Sequence, residues 1–191
     1  MKSQKKSNFN MANIIFVVLI ILLLIPQTRI TLQIWMHKGL SLINQSSLID
    51  EKDREIISYT NWQLRGDANT SIKFEETKGQ VVFINFWATW CPPCIAEMAG
   101  IQELYDDYNE KVVFLLITND SFDTVEKFKQ KRGFDFEVFN PLNQAPEELS
   151  VRTIPRTFII NKKREIVVDE SAALDWNNNK VRAQLNDLLL E

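Results

Sequence analysis

An α/β fold with a central mixed β-sheet flanked by helices is predicted by three features of this chain. Val81–Phe86, a β-branched and aromatic run, and Val112–Ile117, an all-apolar one, are of strand length without clear alternation, the pattern of strands buried on both faces. Each run is followed by a segment with helical periodicity. A hairpin pattern and a terminal helix then close the sequence, an order that places helices against a shared sheet. The 191 residues suffice for one domain and an appendage.

The elements follow in chain order. Asn61 to Leu64 and Ser71 to Phe74 read as short strands around the turn residues Arg65 to Asn69, and Lys78-Gly79-Gln80 is a second turn before the first buried strand. From Pro92 to about Tyr108, the apolar positions Ile95, Met98, Ile101, Leu104, Tyr105 and Tyr108 recur at helical spacing. Pro92 suits the first helical position, where a missing N–H costs nothing. Asp123 to Glu126 resembles a capping box opening a helix to about Arg132, with Gly133 as its stop. Phe136 to Phe139 predicts a short strand and Pro146 to Leu149 a brief helix. Thr157 to Ile160 and Glu165 to Val168 pair across Asn161 to Arg164, and Trp176 to Leu190 forms the last helix.

The N-terminus reads separately. Lys2, Lys5 and Lys6 precede an uncharged stretch, Ser7 to Thr28, centred on the apolar run Ile14 to Ile25. A cleaved signal and an uncleaved signal-anchor compete. Pro-Gln-Thr-Arg after Ile25 is a poor cleavage site, so a transmembrane anchor over residues 1–29 is expected, its lysines cytoplasmic and the remainder outside. Residues 30–60 are expected to be a juxtamembrane stalk, and 61–191 the folded domain. His37, the single histidine, lies in that stalk without sequence partners, so no metal site is expected there. A formal charge of −3 gives no basic footprint for nucleic acid.

Cys91 and Cys94 are the only cysteines. Bridging them closes too small a loop to add much stability, which favours a pair that cycles between dithiol and disulfide. They occupy the start of the helix, where unpaired N–H groups and the helix dipole stabilise a thiolate. Cys91 is therefore expected to be the exposed attacking sulfur and Cys94 the inner, resolving one. Glu97, at i, i+3 from Cys94, is its neighbour on one side of the helix and the candidate proton acceptor, against the alternative of a solvated helix glutamate. Pro92 and Pro93 offer Cys91 no N–H, leaving mainly the amide of Cys94 and those beyond it. Fewer donors to the thiolate favour a reductant over a strong oxidant.

The run Phe86-Trp-Ala-Thr-Trp-Cys-Pro-Pro-Cys94, followed by Thr153-Ile-Pro-Arg-Thr-Phe-Ile159, resembles the thioredoxin fold and, more narrowly, the TlpA/ResA-like membrane-anchored thiol–disulfide oxidoreductases. The resemblance spans roughly the last two-thirds of the chain. It implies a thioredoxin-like fold and a redox-active Cys91–Cys94 disulfide as the whole redox equipment, with no further cofactor. It implies a cis bond before Pro155, which lies against the cysteines, and a backbone edge at Ile154 that receives an extended substrate. Trp90 is expected to flank Cys91 at the surface. Ordinary thioredoxins carry a buried aspartate six residues before the first cysteine; here that position is Asn85, and Glu97 takes the proton role. The resemblance further implies a single-pass protein of the bacterial inner membrane with its catalytic domain on the periplasmic side. Its clients would be disulfide-containing proteins of cytochrome c maturation or copper-centre assembly, reduced with electrons from a membrane thiol-relay donor. A rival from another class is a metallochaperone holding Cu(I) or zinc on the same cysteines. A peroxidase is a third, weakened because the nearest proline upstream of Thr89 is Pro26.

Overall fold

The computed structural model describes residues 11–191 except 42, 45, 59 and 60. Its strands are β1 (Gln63–Gly66), β2 (Ser71–Lys73), β3 (Val81–Phe86), β4 (Val112–Ile117), β5 (Val138–Pro141), β6 (Arg156–Ile160) and β7 (Ile166–Glu170). The helices are α1 (Met11–Leu24), α2 (Pro26–Ser41), α3 (Pro92–Tyr108), α4 (Phe122–Arg132) and α5 (Asn179–Leu190). One mixed sheet runs in the order β2-β1-β5-β4-β3-β6-β7. β3, β4 and β5 are parallel, and the outer strands pair antiparallel with their neighbours.

The central strands are covered on both faces, as their composition demanded. Val81 and Phe83 join an apolar cluster with Met98, Ile101 and Leu104 of α3, Val125 of α4 and Leu185 of α5. Val82 and Ile84, which alternate with them and so face the other way, pack with Ile57, Trp62, Phe74 and Leu149. The sheet's end positions the site: α3 starts a few residues beyond β3, and β6 pairs Phe86 with Arg156 and Asn85 with Thr157.

Element boundaries depart from expectation where side chains outbid the local signal. The expected capping box at Asp123 is displaced: α4 is capped by Ser121, whose hydroxyl accepts the amide of Thr124 at 3.4 Å. The helix ends as expected at Gly133, in the left-handed region at φ 72°. The short strand falls on Val138–Pro141, two residues later than predicted, where Val138 N–H meets Asp67 Oδ1 at 3.1 Å. Trp176 lies outside α5, which is capped by Asn178.

The expected transmembrane anchor is overturned. α1 is only 14 residues, roughly 21 Å, against a hydrocarbon core of about 30 Å. Pro26, which has no N–H to continue the ladder, starts α2 instead. Among the described residues no helix is long and apolar enough to cross a membrane, which contradicts the expected single-pass inner-membrane anchor. Lys2, Lys5 and Lys6 lie outside the described residues.

Residues expected to form a stalk lie on the domain. α2 packs against α3, with Gln33, Ile34 and His37 half-buried and Ser41 buried. Further on, the chain follows the β7 edge: Ile49 N–H reaches Val167 O at 2.9 Å, Ile166 N–H reaches Glu55 O at 2.9 Å, and Ile57 N–H reaches Arg164 O at 2.8 Å. Arg54 pairs with Glu165 at 3.1 Å. An exposed sheet edge is thereby covered.

The αL position of Gly133 gives a direct check on the α4 stop. A Cβ there would meet nothing within 4 Å, so Gly133→Ala carries only the backbone penalty. We expect a loss of about 1 kcal/mol in urea unfolding, with an unchanged denaturant slope.

Candidate active site

Cys91 caps the N-terminus of α3 in an extended conformation, and its sulfur accepts the amide of Cys94 at 3.3 Å. Pro92 and Pro93 fill the next two positions, so no donor stands between them. The two cysteines form a disulfide with Cα atoms 5.3 Å apart.

The sulfurs are less open than the sequence suggested. Cys91, expected to be exposed, is 4% exposed, and Cys94 is fully buried. The peptide bond Ile154–Pro155 is cis, as expected, and its carbonyl oxygen on Ile154 lies 3.9 Å from Cys91 Sγ. Pro155 is buried and Ile154 half-buried, so the loop covers the disulfide from the β6 side. Trp90, 70% exposed, projects beside Cys91 as expected. The tip just before it is anchored by Asp120, whose Oδ2 accepts both the amide of Thr89 at 2.7 Å and its hydroxyl at 2.8 Å.

Glu97 is the unusual group. It is buried beneath the disulfide turn on α3, and three donors from two parts of the chain meet its carboxyl. Asn85 Nδ2 on β3 donates to Oε1 at 2.8 Å. Trp176 Nε1 and the Leu174 amide donate to Oε2 at 3.1 and 3.4 Å. Asn85 Nδ2 also reaches Thr157 Oγ1 on β6 at 2.8 Å. Burial raises the carboxyl from its ordinary 4.5 to about 8, outweighing the lowering effect of these donors. A carboxyl titrating there is matched to a thiol, whose free value is about 8.5.

A groove of about 1090 Å³ opens beside the disulfide. Trp90 and Ile154 line it, with Ile117, Asp120, Leu149 and Arg152. Both residues expected to touch substrate therefore share one surface with the cysteine tip. Among the described residues no cluster of three or more His, Cys, Asp or Glu is placed to hold a metal ion.

The structure thus gathers Trp90, Cys91, Cys94, Glu97, Ile154 and Pro155 at one end of the sheet. Sequence reasoning missed Trp176 and Leu174 as partners of Glu97, and Asp120 as the anchor of the tip. A tryptophan just ahead of the α5 cap carries no local signal of its target 79 residues away. Asp120 had a faint one, a lone carboxylate straight after an apolar strand.

Comparison with known proteins agrees with this geometry. A family model described as the AhpC/TSA family matches residues 58–168. The thiol-disulfide oxidoreductase ResA of Halalkalibacterium halodurans is 35% identical over 111 residues, covering 56% of this chain and 62% of that protein. A ResA of Oceanobacillus iheyensis is 32% identical over 124 residues, 62% of each chain. The matched region thus spans somewhat under two-thirds of these relatives. Among solved structures, a secreted thiol-disulfide isomerase from Corynebacterium glutamicum has a TM-score of 0.58 at 19% identity, covering 78% of this chain and 93% of that one. A thiol:disulfide interchange protein of the thioredoxin family from Chlorobium tepidum has a TM-score of 0.52 at 20% identity, covering 70% and 99%. At such identities the likeness establishes the fold, which is thioredoxin-like.

The buried carboxyl makes folding pH-dependent with a definite sign. Below about 4.5 folded and unfolded chains both hold the Glu97 proton; between 4.5 and about 8 only the folded chain does. Stability of the oxidised protein should therefore fall as pH rises through that window and level off above it. Urea titrations across the window should show this decline in the native chain and a flatter profile in Glu97→Gln.

Proposed function

The chain belongs to the AhpC/TSA family, and from that membership and the disulfide capping α3 we propose that it is a thiol–disulfide oxidoreductase that reduces disulfides of client proteins. The observation that carries this reading is the Cys91 sulfur at a helix N-terminus, receiving the Cys94 amide. That position stabilises a thiolate without a separate base.

In the reduced enzyme, the Cys91 thiolate attacks one sulfur of a client disulfide. A Cys91–client mixed disulfide forms and the other client sulfur leaves as a thiolate. Cys94 then loses its proton to the Glu97 carboxylate and attacks Cys91 Sγ. The Cys91–Cys94 bond closes, the second client thiol is released, and two electrons have passed to the client. A dithiol protein must return those electrons before the next turnover. Ile154 and Pro155, which lie against Cys91, hold the client segment there in the manner of strand addition. Trp90 supplies apolar contact on the groove's rim. The clients implied by the TlpA/ResA-like motifs are apocytochrome c or copper-centre assembly proteins, each with a cysteine pair to be kept reduced.

The single close amide donor supports a reductant. A thiolate served by few donors leaves the reduced form less stabilised, which lowers the potential. Equilibration with glutathione checks this: the expected potential lies well below about −120 mV, the value of a strong oxidant, and a value near it would overturn the assignment.

Catalysis should depend on both sulfurs and on the carboxyl. Insulin reduction should vanish in Cys91→Ser, whereas Cys94→Ser should accumulate a mixed disulfide with the client. Resolution needs ionised Glu97, so its rate should rise with pH through about 8, and Glu97→Gln should slow it about 100-fold and flatten that rise. Stopped-flow resolution kinetics with the same rate and pH profile in the native chain and in Glu97→Gln would remove Glu97 from the mechanism. Copper binding by the cysteines without insulin reduction would favour the metallochaperone instead.

A further inference from the structure

A second, smaller cavity of about 110 Å³ shares no lining residue with the groove beside the disulfide. Glu97 lines it, as does Leu174, whose amide meets Glu97 Oε2. Ala96, Ala99 and Gly100 of α3 form one wall, and Lys38 and Ser41 of α2 form another. Small side chains account for the gap. Gly100 has no room for more, because a Cβ there would stand 3.1 Å from Asp175 Oδ1 and 3.4 Å from Trp176 N. The roof is tied down where the Asp175 amide donates to Ser41 O at 3.3 Å. A space of this size holds several waters, and polar groups are present to bind them.

Around the carboxyl, other directions are sealed. Asn85, Cys94 and Trp176 are all fully buried. A proton bound for Glu97 therefore has one open approach, from the side where α2 ends. We propose that this cavity is the proton route between Glu97 and solvent, roofed by the last turn of α2, so that α2 is a working part of the exchange machinery.

The route rests on the assignment of Glu97 as the acceptor for Cys94. During client reduction, the proton leaves the Cys94 thiol for the Glu97 carboxylate, passes to water in the cavity and emerges beside Lys38. Electrons stay with the sulfurs throughout. The reverse path restores the proton when the disulfide is reduced. Charged groups along this path are Lys38 from α2, Glu103 from α3 and Asp175 from the segment before α5. The carboxyl's own hydrogen-bond partners among the described residues are neutral: Asn85, Trp176 and the Leu174 amide. Two acids against one cation at the mouth favour hydronium there over hydroxide. The family match at residues 58–168 includes the α3 wall of the cavity but neither α2 nor Leu174 and Asp175, so the route joins matched and unmatched parts of the chain.

Ser41→Leu and Ala99→Leu fill the cavity from opposite walls. The probe is the full-length oxidised protein, mixed into heavy water at about pH 6, where the carboxyl holds its proton. The infrared carboxyl band absent from Glu97→Gln identifies the group, and its shift times hydrogen–deuterium exchange. Exchange should slow by about tenfold or more in each filled variant. Exchange as fast as in the unsubstituted protein in both variants would overturn the route. No client or turnover enters this readout, so it stands apart from insulin reduction by the same protein. Loss of insulin reduction in the unsubstituted chain would sink the oxidoreductase, whereas a missing carboxyl band would sink Glu97 as a proton store and the route with it.

Discussion

The register between β3 and β6 is the constraint on which the site depends. Asn85 stands opposite Thr157 and Phe86 opposite Arg156. That pairing fixes where β6 begins, and so places Ile154 and Pro155 beside the turn that β3 feeds into α3. It also sets Asn85 Nδ2 within reach of both Thr157 and Glu97. A slip of one residue would turn Asn85 to the opposite face and move the cis-proline loop off the cysteines. Both faces of β3 are packed with apolar side chains, which makes such a slip costly and holds the register.

Once the register is set, burial does the chemical tuning. Glu97 sits in an interior where its charged form is penalised, and its three donors only partly relieve that penalty. The result is an acid that holds its proton at neutral pH and yields it near the range of a thiol. The same burial makes access matter. A sealed carboxyl needs a path for protons, and the seam between α2 and α3 is where small side chains leave one. Stability, proton affinity and proton access are thus three consequences of one buried group.

Much of the sheet was legible in the sequence because its signals are local. A β-branched and aromatic run marked β3, an all-apolar run marked β4, the periodicity from Ile95 to Tyr108 marked α3, and Asn161 to Arg164 marked the turn of the β6–β7 hairpin. Boundaries slipped where capping and long-range hydrogen bonds decided them, as at Ser121 and Val138. The N-terminal segment misled for a related reason. Its composition matched a membrane span over residues 7–28, yet Pro26 divides the described part into two helices, and α2 spends one face on α3. Apolar content alone did not tell how far a helix continues.

By itself the sequence determined the chemistry available: two sulfurs at a helix start, two prolines that withhold amides, and a glutamate one turn beyond. These are set by covalent structure and by spacing along a single helix. Only the tertiary structure decided how that chemistry is tuned. It brought Trp176 and Leu174 to Glu97, covered Cys91 with the Ile154–Pro155 loop, and laid α2 over the carboxyl's access to water. Such contacts join residues far apart in the chain. Proton affinity and exposure depend on what surrounds a group in space, which no stretch of neighbouring residues specifies.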